Sequence, residues 1–145
     1  MTVKLFSLAD TSPASASTVA GSIIRGLDQF DWFTIDADLV GATGGTLDVY
    51  LQRLIGDPST STTWRDWLHF PQLAAGASAI KYTAGTGPNS GIVVVGTNTS
   101  PALAANTAVA GHPGYALRAL YVAGASTSAG AGVAISLTGW RSTHS

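Results

Sequence analysis

Two runs of strict alternation, separated by a glycine-rich stretch, constrain this chain most. Residues 30–55 read FDWFTIDADLVGATGGTLDVYLQRLI. In the first run Phe33, Ile35, Ala37 and Leu39 fall on one face, and Trp32, Thr34, Asp36 and Asp38 on the other. In the second run Leu47, Val49, Leu51 and Arg53 share a face opposite Asp48, Tyr50, Gln52 and Leu54. A period of two marks a half-buried strand, because successive side chains point to opposite faces of a sheet. A hairpin closing symmetrically about Thr43 sets Leu39 opposite Leu47, Ala37 opposite Val49 and Ile35 opposite Leu51. On its wet face Asp38 then meets Asp48. A slip by one residue would separate the apolar sets, so the pattern predicts a tight register.

The rest of the chain carries the same signal in shorter pieces. Residues 18–26, 64–70, 78–84, 92–96, 115–124 and 132–140 read as strands, rich in β-branched and aromatic residues between Gly, Pro, Ser and Asn clusters. Residues 3–8 read as a short strand or extended arm, followed by a Ser/Pro-rich linker. Within the long small-residue connection 97–114, Ser100 and Pro101 suit the N-cap and first position of one helical turn. Helices find little material here. The eight acidic residues are all Asp, there is no Glu, and Lys4 and Lys81 are the only lysines. Glu and Lys are the usual residues of exposed helix faces. The expected fold is all-β: an antiparallel β-sandwich, jelly-roll-like, of eight to nine short strands with little or no helix. Residues 1–17 are expected to be an arm or linker and 18–145 a single sandwich domain, consistent with a length of 145 residues.

Charge and cysteine usage exclude several function classes. Charged residues make up 10% of the chain and the formal net charge is −1. A nucleic-acid binder would need a clustered basic surface, so neither DNA nor RNA is an expected partner. So little charge is a weak defence against association, which favours life in an assembly. With no cysteine there are no disulfides, thiolate metal sites or Cys nucleophile. No run approaches the roughly 18 apolar residues of a membrane-spanning helix, so no membrane partner is expected. The apolar part of the first ten residues is too short for a secretory signal, so the chain is expected to leave its compartment only as part of a particle.

Asp36, Asp38 and Asp48 raise the question of a cation or an acid–base pair. Calcium needs several oxygens converging from different directions, and the turn supplies no second acidic cluster. The expectation is a solvated outer face. His69, His112 and His144 have no metal-ligand spacing, and no G-x-S-x-G elbow is present. No catalytic, cofactor or metal residue is therefore assigned, and no cofactor is expected. The aromatic residues matter more. On alternating strand residues Trp64 shares a face with Asp66 and Leu68, and Trp67 with Arg65 and His69, so one tryptophan must face away from the core. An outward tryptophan usually lies at an interface or in a ligand groove. Trp32, Tyr50, Trp67, His69 and Trp140 are the candidate contact residues.

Four segments carry a family resemblance: GGTLDVYLQR (44–53), WRDWLHFPQLAAGAS (64–78), TSPALAANTAVAG (99–111) and LRALYVAGASTSAGAGVAISLTG (117–139). In this order the chain resembles small virion structural proteins of tailed bacteriophages, from about residue 30 onward. The resemblance implies a non-enzymatic protein, a capsid decoration (cement) protein in the leading reading, made in the host cytoplasm and fixed on the particle surface. It implies a homo-oligomer, a trimer first among the options, contacting the major capsid protein or a neighbouring virion protein. Such a protein acts by binding free energy alone, stabilising an assembled shell by mass action. A tail or collar structural protein is the nearest rival. A carbohydrate- or receptor-binding sandwich module is the alternative from another class, and an enzyme comes third.

Overall fold

The computed structural model describes residues 2–11, 17–40, 45–73, 80–85, 107–109, 112–124 and 132–142. Within them the chain forms β1 (Thr2–Thr11), β2 (Thr18–Ala20), β3 (Ile24–Arg25), a one-turn 3-10 helix η1 (Leu27–Gln29), β4 (Trp32–Val40), β5 (Leu47–Ile55), β6 (Thr63–His69), β7 (Ile80–Gly85), β8 (Thr107–Ala108), β9 (Ala116–Ala123) and β10 (Gly132–Arg141). All pairings are antiparallel. One sheet runs β1-β10-β4-β7, and the other β2-β9-β5-β6-β8 with β3 also on β9. The all-β sandwich read from the sequence is what forms. Residues 18–26, read as one strand, are two short ones because the chain leaves the β9 ladder between Ala20 and Ile24. The expected strand at 92–96, the helical turn at Ser100 and Pro101, and His144 lie outside the described residues.

The hairpin expected over 30–55 does not form. Strand β4 pairs with β10 and β7, whereas β5 pairs with β6 and β9 in the other sheet. Leu39 lies opposite Val133 and Leu47 opposite Ala123. Strands β4 and β5 therefore belong to different sheets. The faces were read correctly: Phe33, Ile35, Ala37 and Leu39 of β4 and Leu47, Val49 and Leu51 of β5 are all buried in one core. A hairpin would set these apolar rows side by side on one sheet. The sandwich sets them face to face, each row covering the other. Alternation specifies the buried face of each strand and is silent on which sheet the strand joins.

The core between the sheets is completed by Leu117, Ala119 and Tyr121 of β9, Val133, Ile135 and Leu137 of β10, and Leu27 of η1. Gly139 closes one end. A Cβ there would come within 2.8 Å of the Phe30 ring and 3.1 Å of the Phe33 ring, so only glycine lets β10 pass beneath these two aromatics. Residues 2–11, expected as an arm, pair along β10 of the same chain as edge strand β1, from Thr2 opposite Arg141 to Thr11 opposite Val133. Phe6 packs onto the core and meets Phe30 edge-to-face at 5.6 Å. The register slips between Ser7 and Ala9, so Leu8 is an extra residue, a bulge in the edge strand.

Candidate functional site

The two sheets present different outer faces. On the β1-β10-β4-β7 sheet the outward row across three strands is Val3, Trp140 and Trp32, in register with one another. The next row is Leu5, Thr138 and Thr34, and the third is Ser7, Ser136 and Asp36. The partly exposed indoles of Trp32 and Trp140 stack with centroids 4.8 Å apart and planes 7° from parallel. The indole Nε1 of Trp140 donates to the Thr34 hydroxyl at 3.2 Å. Val3 is 49% and Leu5 69% exposed. This corner is thus an apolar and aromatic surface in contact with water, beside a field of hydroxyls and one carboxylate. Direct opposition of two tryptophans follows from sequence positions that the pairing of β4 with β10 brings together, and the hairpin expectation could not supply it.

The outer face of the other sheet is packed. Its rows contain Gln52 opposite Arg118 and Asp66, and Tyr50 opposite Leu120 and His69. Asp66 and Gln52 are buried, and the Gln52 amide Nε2 donates to Asp66 Oδ1 at 2.8 Å. Arg118 Nε donates to Gln52 Oε1 at 2.9 Å while its guanidinium lies over the Trp64 ring, 4.5 Å from the centroid. Burial holds Arg118 below the ordinary guanidinium range. The chain from Arg118 through Gln52 to Asp66 satisfies a buried carboxylate that would otherwise cost several kcal/mol of desolvation.

Beside it, His69 Nε2 donates to Asp48 Oδ1 at 2.9 Å and the Gln72 amide donates to Asp48 Oδ2 at 2.8 Å. Tyr50 stacks on the His69 ring at 3.9 Å. Burial, with Asp48 and Asp66 adding negative potential, pushes the Tyr50 phenol above its ordinary pKa. His69 and Tyr50 are both buried, so neither offers an open surface.

Of the two tryptophans on β6, Trp64 is the one that faces out. Trp67 is 1% exposed and belongs to the core. Strict alternation put His69 on the face opposite Asp66. The structure puts both on the same face, because β6 carries a bulge at Trp67: Leu51 pairs with Leu68, but Gln52 pairs with Asp66. The extra residue turns Trp67 inward beside Leu68 and re-aims His69 outward onto Tyr50. Nothing in the alternation of residues 64–70 announces it.

The three aspartates of the opening stretch do not converge. Asp36 and Asp38 are on β4 opposite Ser136 and Ala134, and Asp48 is in the other sheet opposite Val122. The like-charge confrontation of Asp38 with Asp48 is thereby removed. Among the described residues no group of three His, Asp or Glu side chains is placed to hold a metal ion. His112 is structural in its contacts: it bridges the Phe30 carbonyl at Nε2 (2.8 Å) and accepts the Gly114 N–H at Nδ1 (2.9 Å), so its proton sits on Nε2. Gly114 reaches it through a left-handed backbone, φ 85°. Among the described residues no helix is long and apolar enough to cross a membrane. The chain matches no family model, no curated protein and no solved structure.

Proposed function

We propose that this chain is a non-enzymatic structural protein of a tailed-phage virion, a capsid decoration protein that docks on the assembled head and stabilises it. The observation that carries the reading is the exposed apolar corner formed by Val3, Leu5, Trp32 and Trp140 on an otherwise hydroxyl-rich sheet face. A surface of this kind rimmed by polar residues is the ordinary form of a protein-docking patch. The two antiparallel sheets, β1-β10-β4-β7 and β2-β9-β5-β6-β8, support a jelly-roll-like reading of the sandwich, an architecture used by virus capsid proteins. The partner is the major capsid protein or a neighbouring virion protein, and the work is mass action: a ligand bound only to the assembled shell lowers its free energy. The same logic serves a tail or collar position.

Electron microscopy of intact particles tests the reading by locating the chain, and a cosedimentation titration against purified heads gives the stoichiometry. Absence from purified particles would rule it out. A second reading is favoured by one specific feature, the stacked Trp32–Trp140 pair beside Thr34 and Asp36. Indole faces pack on the C–H faces of sugars, and hydroxyls and carboxylates pair with their OH groups. A glycan array distinguishes the two: selective glycan retention lost in Trp32→Ala supports the carbohydrate-binding module.

A further inference from the structure

The side of the sandwich formed by its N-terminal strands is built for contact. Val3, Leu5, Val19 and Ile23 are four of the five large apolar residues exposed among the described ones. Val3 and Leu5 are on β1, the edge of one sheet. Val19 is on β2, the edge of the other, and Ile23 follows it. Because β1 lies against β9, on which β2 pairs, both edges open on the same side of the molecule. Among the described residues nothing pairs with the outer edge of β1, so alternate N–H and C=O groups of that strand face away from β10. An edge strand presents unpaired backbone groups that can pair with another chain, and proteins that avoid this place charges, proline or bulges there. Before its bulge β1 has one charge, Lys4, and no proline.

We propose that two copies of this chain pair through β1 about a two-fold axis, antiparallel, with Leu5 opposite the partner's Leu5. An isologous contact uses one patch twice, and Val3 and Leu5 stand exposed two residues apart on this edge strand. The trimer implied by the family resemblance needs two different complementary surfaces.

The register follows from the side chains. Centring the pair on Lys4 sets two ammonium groups directly opposite, which is destabilising. Centring it on Phe6 sets Leu5 against the partner's Ser7 and leaves the most exposed apolar side chain without an apolar mate. Centring it on Leu5 joins the two leucines and sets Lys4 across from the partner's Phe6. That repeats between chains the contact Lys4 Nζ already makes within its own, 4.9 Å from the Phe6 ring. This register uses Val3 to Ser7 and ends where the bulge at Leu8 turns the strand. It also sets the two apolar corners, each with its Trp32–Trp140 pair, on one side of the dimer, giving the docking surface of the proposed function two equivalent feet.

The chain has no cysteine, which makes the test direct. Sedimentation equilibrium of the full chain is expected to show a monomer–dimer equilibrium, weakened at least about tenfold in Leu5→Asp. The circular dichroism of Leu5→Asp is expected to match the parent, because Leu5 is exposed in the single chain. Under mild oxidation Leu5→Cys is expected to form a disulfide-linked dimer, since directly opposed antiparallel residues fall within disulfide reach. Thr62→Cys, in the exposed turn before β6, is the control for random collision. A chain that stays monomeric at the highest soluble concentration, a trimer, or Leu5→Cys cross-linking no faster than the control would each overturn the pairing. The inference specifies the homo-oligomer of the virion reading, and the two fail separately. Location of a monomeric parent chain in intact particles would leave that reading intact, and a dimer absent from particles would leave the pairing intact.

Discussion

Leu51 of β5 and Leu68 of β6 stand directly opposite each other, and one residue further along Gln52 faces Asp66, with Trp67 bulged between. That displacement decides the whole outer face of the sheet: it buries Trp67 with the leucines and stacks His69 on Tyr50.

Leu51 has no exposed surface and sits mid-strand in the core. Leu51→Ala removes buried methyl groups and leaves a cavity, so a loss of about 2–5 kcal/mol is expected in urea denaturation. A loss near zero would contradict the placement of Leu51 between the sheets.

Gly139→Ala is expected to destabilise by about 1–3 kcal/mol, the cost of overpacking, because the added methyl meets the Phe30 and Phe33 rings. Thermal melts of Gly139→Ala with and without Phe30→Leu check the cause. Relief of the loss in the double variant identifies the ring clash.

Tyr50 and Tyr121 both have pKa values raised by burial, from an ordinary value of 10.0. A folded-state pKa above the unfolded one means that the unfolded chain loses its proton first. The native state is therefore at full relative stability below about pH 10 and loses stability as pH rises through the folded pKa values. Denaturation midpoints are expected to fall through this alkaline window, and less steeply in the double variant Tyr50→Phe, Tyr121→Phe. An unchanged slope would place the titrating groups elsewhere.

Calcium is expected to leave the melting temperature unchanged. Asp48 is held by His69 and Gln72 in one sheet, and Asp36 and Asp38 stand in the other. A rise in melting temperature with calcium that Asp48→Asn abolishes would show a cation site instead.

Removal of residues 2–15 is expected to lower the melting temperature. It strips β1 from β10 and takes Phe6 from Phe30. An unchanged melt would mean that β1 contributes nothing to the single domain.

The sequence by itself determined the fold class and the buried face of each long strand. Period-two alternation, the lack of Glu and the scarcity of Lys leave few helices to build, and Phe33, Ile35, Ala37, Leu39, Leu47, Val49 and Leu51 are buried as their spacing requires. It marked Trp32 and Trp140 as candidate contact residues but not as partners of each other, because their juxtaposition depends on β4 pairing with a strand about a hundred residues away. Only the tertiary structure decided which sheet each strand joined, where β1 and β6 bulged, and which of Trp64 and Trp67 met solvent. The physical reason is locality. Burying an apolar face is a property of one strand and is written in its own residues. Pairing and bulging depend on backbone hydrogen bonds that are nearly alike for every strand, so they are settled when the two apolar faces pack together and exclude water from the space between them.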